Sequence, residues 1–261
     1  MAVLPQASAG IQAFRERKIR MNVIVTGSSR GIGLAIAEKF SANGANVAIN
    51  CSSDAGVLNS ALKKLREFND KTIAVQADVS TLCGAQRLFS EVGSKLGEID
   101  VLVNNAGSSL VGLFNELQPG DWNPLIQTNI VSVLNCCRLA LPAMLKKRKG
   151  VILNISSVWG ESGASCEAVY SLTKGAVNAF TKALGKESAP NGVRVNAIAC
   201  GAFETRMNSF LTPEDRELLE NQIPAGRFGR PEEAAELAYF MCSDSASYMN
   251  GQIVTLDGAW I

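Results

Sequence analysis

The sequence predicts an α/β fold: one doubly wound domain in which a seven-stranded parallel sheet carries helices on both faces. The first observation is alternation, because mostly apolar runs of four to six residues are separated by longer segments with helical periodicity. Such runs are typical of strands buried on both faces of a parallel sheet. The second observation is size. A chain of 261 residues with 47% hydrophobic residues is sufficient for one large core, and no linker, low-complexity stretch or internal repeat divides it.

The elements follow one another in a regular order from Asn22 onward. Residues 22–26 form the first apolar run, and the next segment repeats apolar residues at helical spacing, at Ile32, Ala35, Ile36 and Phe40. A helix after each strand indicates successive βαβ units. The predicted strands are residues 22–26, 47–50, 72–76, 99–103, 151–155, 193–198 and 253–256, and the predicted helices are residues 31–43, 57–68, 82–96, 122–147, 168–188 and 232–242.

The first twenty residues do not fit this pattern. They precede a second methionine, Met21, which abuts the first strand. They lack the continuous apolar region of a signal peptide, and Glu16 argues against a transit peptide. We therefore assign residues 21–261 to the domain. Residues 1–20 are expected to be an N-terminal arm, or an extension that comes from an upstream start codon or from cloning.

Charge and residue counts exclude several classes of function. The chain has 25 basic and 24 acidic residues, whereas nucleic-acid or anionic-membrane binding needs a basic excess. No apolar run reaches the roughly 18–20 residues of a membrane span. The seven cysteines form no C-x-x-C pair and the chain has no histidine, so no metal site is predicted and Ser-His-Asp and Cys-His catalysis are excluded. Reduced thiols indicate a soluble, cytoplasmic protein.

The first strand leads into the glycine-rich turn T-G-S-S-R-G-I-G, residues 26–33. Glycines at 27, 31 and 33 permit a tight turn, close approach of the backbone to a pyrophosphate and close helix–strand packing. The following helix presents its N-terminal N–H groups to phosphate. Because the triplet lies between a strand and a helix at the start of the domain, it predicts a dinucleotide site.

The end of the second strand indicates which dinucleotide binds. A carboxylate there accepts hydrogen bonds from a ribose 2′-hydroxyl and repels a 2′-phosphate. This chain instead has Asn50, Cys51, Ser52 and Ser53, with no carboxylate before residue 54. Arg30 in the glycine turn offers a guanidinium to that phosphate. NADP(H) is therefore favoured over NAD(H).

A serine, a tyrosine and a lysine in the segment 155–174 have the spacing of an acid–base site. Tyr170 and Lys174 are i,i+4 neighbours on the predicted helix 168–188. An ammonium beside a phenol favours the phenolate, so we expect the tyrosine pKa to be lowered towards neutral pH. Ser157 would hold the same substrate oxygen by a hydrogen bond, and the group would move a proton on or off an alcohol oxygen.

Together these motifs resemble the short-chain dehydrogenase/reductase family, over about residues 22–261. The residues that carry the resemblance are the turn 26–33, Asp78-Val79, N-N-A-G at 104–107, Asn129, Ser157, Tyr170 and Lys174. The resemblance implies a Rossmann-type domain and an NAD(P)-dependent oxidoreductase acting on CH–OH and C=O groups. A non-catalytic dinucleotide-binding sensor is the alternative, although such relatives usually lose the tyrosine or the lysine.

The resemblance also implies individual roles. Tyr170 would be the general acid/base, Ser157 would orient the carbonyl, Lys174 would lower the tyrosine pKa and bind the nicotinamide ribose, and Asn129 would hold a water in a proton relay. The family's Pro-Gly after the sixth strand is Cys200-Gly201 here. Packing is the expected role of that thiol, and redox sensing is the alternative. The implied cofactor contacts are Gly27, Ser29, Arg30, Gly31, Ile32, Gly33, Ser52, Asp78, Val79, Asn105, Ala106, Gly107, Tyr170, Lys174, Gly201, Phe203 and Thr205.

The substrate is expected to be a small-molecule or carrier-bound ketone. The segments 223–233 and 250–258 are similar to those of 3-oxoacyl-[acyl-carrier-protein] reductases, which implies reduction of a 3-oxoacyl thioester in fatty acid biosynthesis. Of the two arginines that help dock the acyl carrier protein in that group, Arg148 is matched and the other position is Asn191. A mobile lid is predicted between residues 202 and 230 from the apolar residues Phe203, Met207, Phe210 and Leu211.

A second resemblance competes for the substrate. The loop W-G-E-S-G-A-S-C-E, residues 159–167, looks like that of reductases acting on 5-aminopentanone-modified elongation factor P. Glu161 or Glu167 could attract such a cationic substrate, and an ordinary exposed loop is the alternative. By analogy with the family, the helices 122–147 and 168–188 would pair across two-fold axes in a homotetramer or homodimer.

Overall fold

The structure is a computed structural model that describes residues 21–209 and 211–261. The expected N-terminal arm, residues 1–20, and Phe210 of the expected lid lie outside the described residues. Seven parallel strands form one sheet in the order β3-β2-β1-β4-β5-β6-β7, and the doubly wound parallel sheet that the sequence predicted is confirmed. The strands are β1 Asn22–Val25, β2 Asn46–Cys51, β3 Ile73–Gln76, β4 Val101–Asn104, β5 Gly150–Ser157, β6 Val193–Cys200 and β7 Ile253–Leu256.

Helices cover both faces of this sheet. On one face, the apolar side chains of the sheet pack against the helices at residues 31–42, 55–66 and 231–242. On the other face, they pack against the helices at residues 82–95, 132–146 and 168–188. Burial on both faces explains why the strands are almost continuously apolar. The helices are α1 Gly31–Ala42, α2 Ala55–Arg66, α3 Leu82–Lys95, α4 Pro119–Ile126, α5 Ser132–Lys146, α6 Trp159–Ser162, α7 Ala168–Ser188, α8 Pro213–Gln222 and α9 Pro231–Cys242.

The helix predicted at 122–147 is longer than expected and is not regular. It begins at Pro119, where the Gln118 N–H donates to the Asp121 carboxylate at 2.7 Å. A π-helical turn, Gln127–Val131, joins α4 to α5. The spacing of apolar residues does not predict such a π-helical turn, because its one extra residue shifts the helical spacing only locally.

The combined helix, Pro119–Lys146, is long and apolar enough to cross a membrane, by length and composition alone. The sequence predicts no such segment from uninterrupted apolar runs, because polar residues are interspersed along this helix. Length and composition alone are weak evidence for a span. One face of α5, including Cys136, Ala140 and Met144, is buried against the sheet, which is how a core helix packs.

Two helices were not predicted. The short α6 follows β5 directly, and α8 lies within the expected lid. None of the residues of α8 is buried, so its apolar pattern carries no periodic signal. Its N-terminal signal was nevertheless present: Thr212 accepts a hydrogen bond from the Asp215 N–H at 3.1 Å, with Pro213 at the first helical position.

Candidate active site

One cavity of about 1180 Å³ runs along the carboxyl ends of the strands, around the point between β1 and β4 where the strand order reverses. Ligands of open α/β sheets bind at this position. Every predicted cofactor contact lines the cavity, and so do Ser157, Tyr170 and Lys174. The fold therefore brings residues from distant parts of the chain to one continuous site.

The glycine turn approaches the next loop more closely than side chains would allow. Gly27 has φ +60°, and a Cβ there would lie 2.8 Å from the Ala106 Cα. A Cβ on Gly33 would overlap the Asn105 Nδ2, which donates to the Thr26 and Gly27 carbonyls. The loop after β4 therefore packs directly against the glycine turn, and the N-terminus of α1 follows that turn, where helices bind phosphate.

The end of β2 differs in one respect from the expectation for an NADP(H) site. Asn50 is buried and ties β2 to the end of β3, donating to the Val75 and Ala77 carbonyls at 3.0 and 2.9 Å. The nearest carboxylate along the chain, Asp54, lies 3.5 Å from the Arg30 guanidinium and also accepts the Val57 N–H as the N-cap of α2. Arg30 is therefore paired at the place where a 2′-phosphate is expected.

Three more of the predicted contacts line the cavity beyond the glycine turn. Asp78 accepts hydrogen bonds from the Ser80 N–H and hydroxyl, which fixes its carboxylate beyond the end of β3. Val79 is buried, and its carbonyl accepts from the Asn135 amide at 3.2 Å. The Thr205 side chain lies 3.5 Å from the position of a Cβ on Gly31, so it borders the phosphate-binding turn.

The acid–base residues come from β5 and α7. Ser157 ends β5, while Tyr170 and Lys174 lie one turn apart on α7, and all three line the same cavity. The Lys174 Nζ lies 5.7 Å from the centroid of the Tyr170 ring and donates to the Ile155 carbonyl at 3.0 Å. All three side chains are buried.

Burial sets the protonation of this group. It raises the pKa of Tyr170 well above its ordinary value, although the Ser157 hydroxyl opposes the shift. Burial lowers the pKa of Lys174 to about 8. The direction for Tyr170 is opposite to the predicted one, because desolvation of the phenolate outweighs a lysine whose own charge is also disfavoured by burial.

Asn129 does not line the cavity but lies behind it, in the π-helical turn. Its side chain accepts from the Ser108 N–H and donates to the Ser108 carbonyl and the Thr173 hydroxyl, at 2.9 to 3.0 Å. A Cβ on Gly107 would lie 3.3 Å from the Asn129 Oδ1 and 3.6 Å from the Lys174 Nζ. Asn129 and Lys174 therefore border the same small space. π-Turns are frequent at functional sites.

The cavity wall contains an aromatic pair that the sequence does not predict. Trp159 follows Ser157 by two residues, and its ring meets that of Trp260 edge to face with centroids 4.8 Å apart. The two residues are far apart in the chain, so no local pattern links them. Beyond them the lid contributes Met207, Leu211 and Leu219 to the lining.

The family model described as short chain dehydrogenase matches residues 21–216 of this chain. This chain belongs to the short-chain dehydrogenase family. It is an NAD(P)-dependent oxidoreductase, and its sheet is that of the family. The resemblance inferred from the motifs is therefore confirmed.

Individual relatives of this short-chain dehydrogenase include several reductases. It is 38% identical over 238 residues to the uncharacterized oxidoreductase YmfI of Bacillus subtilis, covering 91% of this chain and 97% of that one. It is 36% identical to the 3-oxoacyl-[acyl-carrier-protein] reductase FabG of Staphylococcus aureus, covering 92% and 98%. The FabG of Aquifex aeolicus is 38% identical, with coverage of 90% and 95%.

Two solved structures share the fold. A single-residue variant of the actinorhodin polyketide ketoreductase, solved with NADPH, superimposes with a TM-score of 0.89 at 32% identity, covering 93% of this chain and 98% of that one. A putative gluconate dehydrogenase from Agrobacterium tumefaciens gives a TM-score of 0.88 at 33% identity, covering 92% and 95%.

Proposed function

We propose that this short-chain dehydrogenase reduces a ketone to a secondary alcohol with NADPH. The observation that carries the proposal is that Ser157, Tyr170 and Lys174 lie together on the wall of the cavity that the glycine turn also lines, with the Lys174 Nζ 5.7 Å from the centroid of the Tyr170 ring. This chain keeps Ser157, Tyr170 and Lys174, whereas non-catalytic dinucleotide-binding relatives usually lose the tyrosine or the lysine. A non-catalytic sensor is therefore disfavoured. The reductases among its relatives support the direction of reaction.

The residues fit a nicotinamide dinucleotide. The glycine turn leaves a cradle that a Cβ at Gly27 or Gly33 would obstruct, and the N-terminus of α1 lies behind it for the pyrophosphate. Asp78 and Val79 would flank the adenine, Lys174 would hold the nicotinamide ribose, and Thr205 would meet the carboxamide. When bound, the nicotinamide supplies the hydride for the carbonyl carbon.

The protein residues supply the proton and the orientation. Ser157 donates a hydrogen bond to the ketone oxygen, and Tyr170 donates its proton to the developing alkoxide. The raised pKa of Tyr170 suits this role as an acid, because the phenol is protonated before the ketone is reduced. Lys174 and a water held in the π-helical turn beside Asn129 then return a proton to the tyrosine.

Replacing Tyr170 with Phe tests the assignment. We expect NADPH binding, followed by the fluorescence of the reduced nicotinamide, to stay within about two-fold, because the ring still packs in place. Turnover should fall by roughly 10²–10⁴, the usual contribution of a general acid. Lys186→Ala is a control on an exposed position near the end of the same helix and should leave turnover unchanged. A Tyr170→Phe variant that retained turnover would contradict the proposal.

The preference for NADP(H) over NAD(H) is part of the proposal. It is supported by the uncharged residues that end β2 and by the Arg30 guanidinium, which borders the cavity with Ser52. Asp54 opposes this preference, since it holds the guanidinium at 3.5 Å. Equal kcat/KM values with NADPH and NADH would show that Arg30 does not read the phosphate.

A 3-oxoacyl thioester, of fatty acid biosynthesis, is the first candidate substrate because of the FabG relatives. For docking of an acyl carrier protein, Arg148 is exposed and uses one N–H for the Pro190 carbonyl at 2.9 Å, while its other N–H groups stay available. Asn191 supplies no second cation. Reduction of an acetoacetyl thioester, free and carrier-bound, is the assay, and a preference for the carrier-bound form would support docking.

The second candidate is the reduction of 5-aminopentanone-modified elongation factor P. The half-buried carboxylate of Glu167, which lines the cavity, favours a substrate with a positive charge. Incubation of the modified protein with enzyme and NADPH, followed by mass spectrometry, would show a gain of two hydrogens. Reduction of that protein but of no thioester would select this candidate.

We further propose a homotetramer or homodimer in the cytoplasm. Leu134 on α5 and Leu172 on α7 are exposed on the two helices expected to pair, and all seven cysteines are free, as in a reducing compartment. Light scattering after gel filtration measures the assembly. Leu134→Glu combined with Leu172→Glu should yield monomers, and an unchanged mass would contradict pairing through these helices.

A further inference from the structure

One turn of the chain forms part of the cavity wall but belongs neither to the proton-transfer group nor to the expected dinucleotide contacts. It comprises residues 257–261, and we call it the 257–261 turn. Its Trp260 lines the cavity, and the Trp260 ring meets that of Trp159 edge to face with centroids 4.8 Å apart. The Trp159 N–H donates to the Ser157 Oγ at 3.2 Å. The indole pair therefore adjoins the residue that orients the ketone.

A single carboxylate holds the backbone around Trp260. One oxygen of Asp257 accepts the Ala259 N–H and the other accepts the Ile261 N–H, both at 2.9 Å. These two residues flank Trp260, so the chain is fixed on both sides of the indole. Ala259 has φ +68°, a left-handed conformation that residues other than glycine rarely adopt. Such a conformation persists only where the surrounding structure enforces it.

The 257–261 turn is packed between two parts of the site. A Cβ on Gly201, a predicted cofactor contact, would lie 2.7 Å from the Asp257 Cβ. A Cβ on Gly258 would lie 2.9 Å from the Ala225 Cβ, and the Ala225 N–H donates to the Gly258 carbonyl at 3.1 Å. Ala225 belongs to the expected lid. The turn therefore contacts the loop after β6 on one side and the end of the lid on the other, and both contacts fix its position.

The indole pair presents apolar surface to the cavity. Trp159 and Trp260 are each only partly buried, and both line the cavity. The lid adds Met207, Leu211 and Leu219 to the same lining. Partly exposed indoles gain free energy when a flat apolar group covers them, because apolar surface leaves water and aromatic rings pair edge to face or offset.

We propose that Trp260, positioned by the 257–261 turn, is a specificity-determining residue that selects ketones with an aromatic ring a few bonds from the carbonyl. Ser157 and Tyr170 hold the carbonyl, and the indole pair beside Ser157 receives the ring. This inference rests on the proposed ketone reduction and names the substituent that the site prefers. Asp257 is a positioning residue, because it acts on the substrate only through Trp260.

The test compares two methyl ketones that differ by one ring. Benzylacetone is butanone with a phenyl group at the end of its ethyl group, and the ring is not conjugated with the carbonyl. The kcat/KM of benzylacetone over that of butanone is measured with NADPH for the wild type, Trp260→Ala, Trp260→Phe and Asp257→Asn. Tyr248→Ala is the matched control, because Tyr248 is a fully exposed aromatic residue that does not line the cavity.

We expect the wild type and Tyr248→Ala to favour benzylacetone by more than about ten-fold, because the phenyl ring leaves water. Trp260→Ala should lower this ratio by roughly ten-fold, or ~1.4 kcal/mol, while the kcat/KM for butanone and the KM for NADPH stay unchanged. Trp260→Phe should restore most of the ratio. In Asp257→Asn the amide nitrogen cannot accept a hydrogen bond, so the ratio should fall although Trp260 is still present.

A ratio that Trp260→Ala leaves unchanged would overturn the proposal while the ketone reduction stands, and a raised ratio would show that the indole only blocks large ketones. A wild type without preference for benzylacetone would have the same meaning. A wild-type ratio in Asp257→Asn would reject the positioning role of that carboxylate.

If no ketone is reduced, binding of benzylacetone to the protein with NADP⁺ is decisive, followed by saturation-transfer difference NMR. Weaker binding in Trp260→Ala than in the wild type would support the specificity role and reject the proposed reaction. Equal binding by the two proteins would reject both.

Discussion

Replacing Lys174 with Met should stabilise this protein at neutral pH while abolishing its turnover. Lys174 is buried, and burial lowers its pKa from 10.5 to about 8. At pH values below 8 the folded state must therefore hold an ammonium that burial disfavours. The difference between the two pKa values corresponds to ~3 kcal/mol of lost stability at pH 7. Methionine has a similar shape and no charge, so it does not carry this cost.

The pH dependence identifies the cause. Between pH 8 and 10.5 the unfolded state binds more protons at this residue than the folded state, so the wild type gains stability as the pH rises. The advantage of Lys174→Met should consequently shrink by ~2.5 kcal/mol between about pH 7 and pH 10. Loss of the hydrogen bond to the Ile155 carbonyl lowers the stability of the variant by a constant amount of ~1 kcal/mol, because the neutral amine of the wild type also donates.

The assay is urea unfolding of the cofactor-free protein, followed by circular dichroism at four pH values between neutral and about pH 10, with Lys182→Met as an exposed-lysine control. The control should show no pH-dependent difference from the wild type. A Lys174→Met variant less stable than the wild type at neutral pH, with a difference that stays constant as the pH rises, would refute the argument from burial.

Two further predictions concern the cofactor site. Asp54→Asn keeps the N-cap of α2 but releases the Arg30 guanidinium, so the NADPH-to-NADH ratio of kcat/KM should rise by up to about five-fold, the range of a partly exposed ion pair; a fall in the ratio would assign Asp54 another role. Gly33→Ala places a Cβ against the Asn105 Nδ2 and should raise the KM for NADPH and cost ~2–3 kcal/mol through the two hydrogen bonds of that amide. Gly93→Ala in α3 meets no atom within 4 Å and should instead stabilise the protein by ~0.5–1 kcal/mol in thermal unfolding. Equal effects of the two glycine substitutions would contradict the packing argument.

The sequence predicted correctly those features that depend on the residues of a single strand, helix or turn. The parallel sheet could be anticipated because a βαβ chain with a glycine turn after its first strand has few alternatives. The helix 168–188 was predicted with its observed bounds, Ala168–Ser188. The helix Pro213–Gln222 was missed, since it has no buried face and only its capping residues mark it.

Features that depend on burial, or on contacts between residues far apart in the chain, could not be predicted from the sequence. The pKa of Tyr170 was predicted in the wrong direction, because its spacing to Lys174 is visible in the sequence while the desolvation of both is not. The pairing of Asp54 with Arg30 joins two loops, and sequence reasoning treated the arginine as free.

The sequence by itself determined the class of this protein: the alternation of apolar runs specified a parallel sheet, and the order of the motifs specified the family and its expected proton-transfer residues. These features are local, or depend only on chain order. The tertiary structure decided what surrounds them. It placed Trp260 against Trp159, brought Glu167 into the cavity and left Glu161 outside it. Such choices depend on how distant segments pack and on what that packing removes from water, and no local pattern records either.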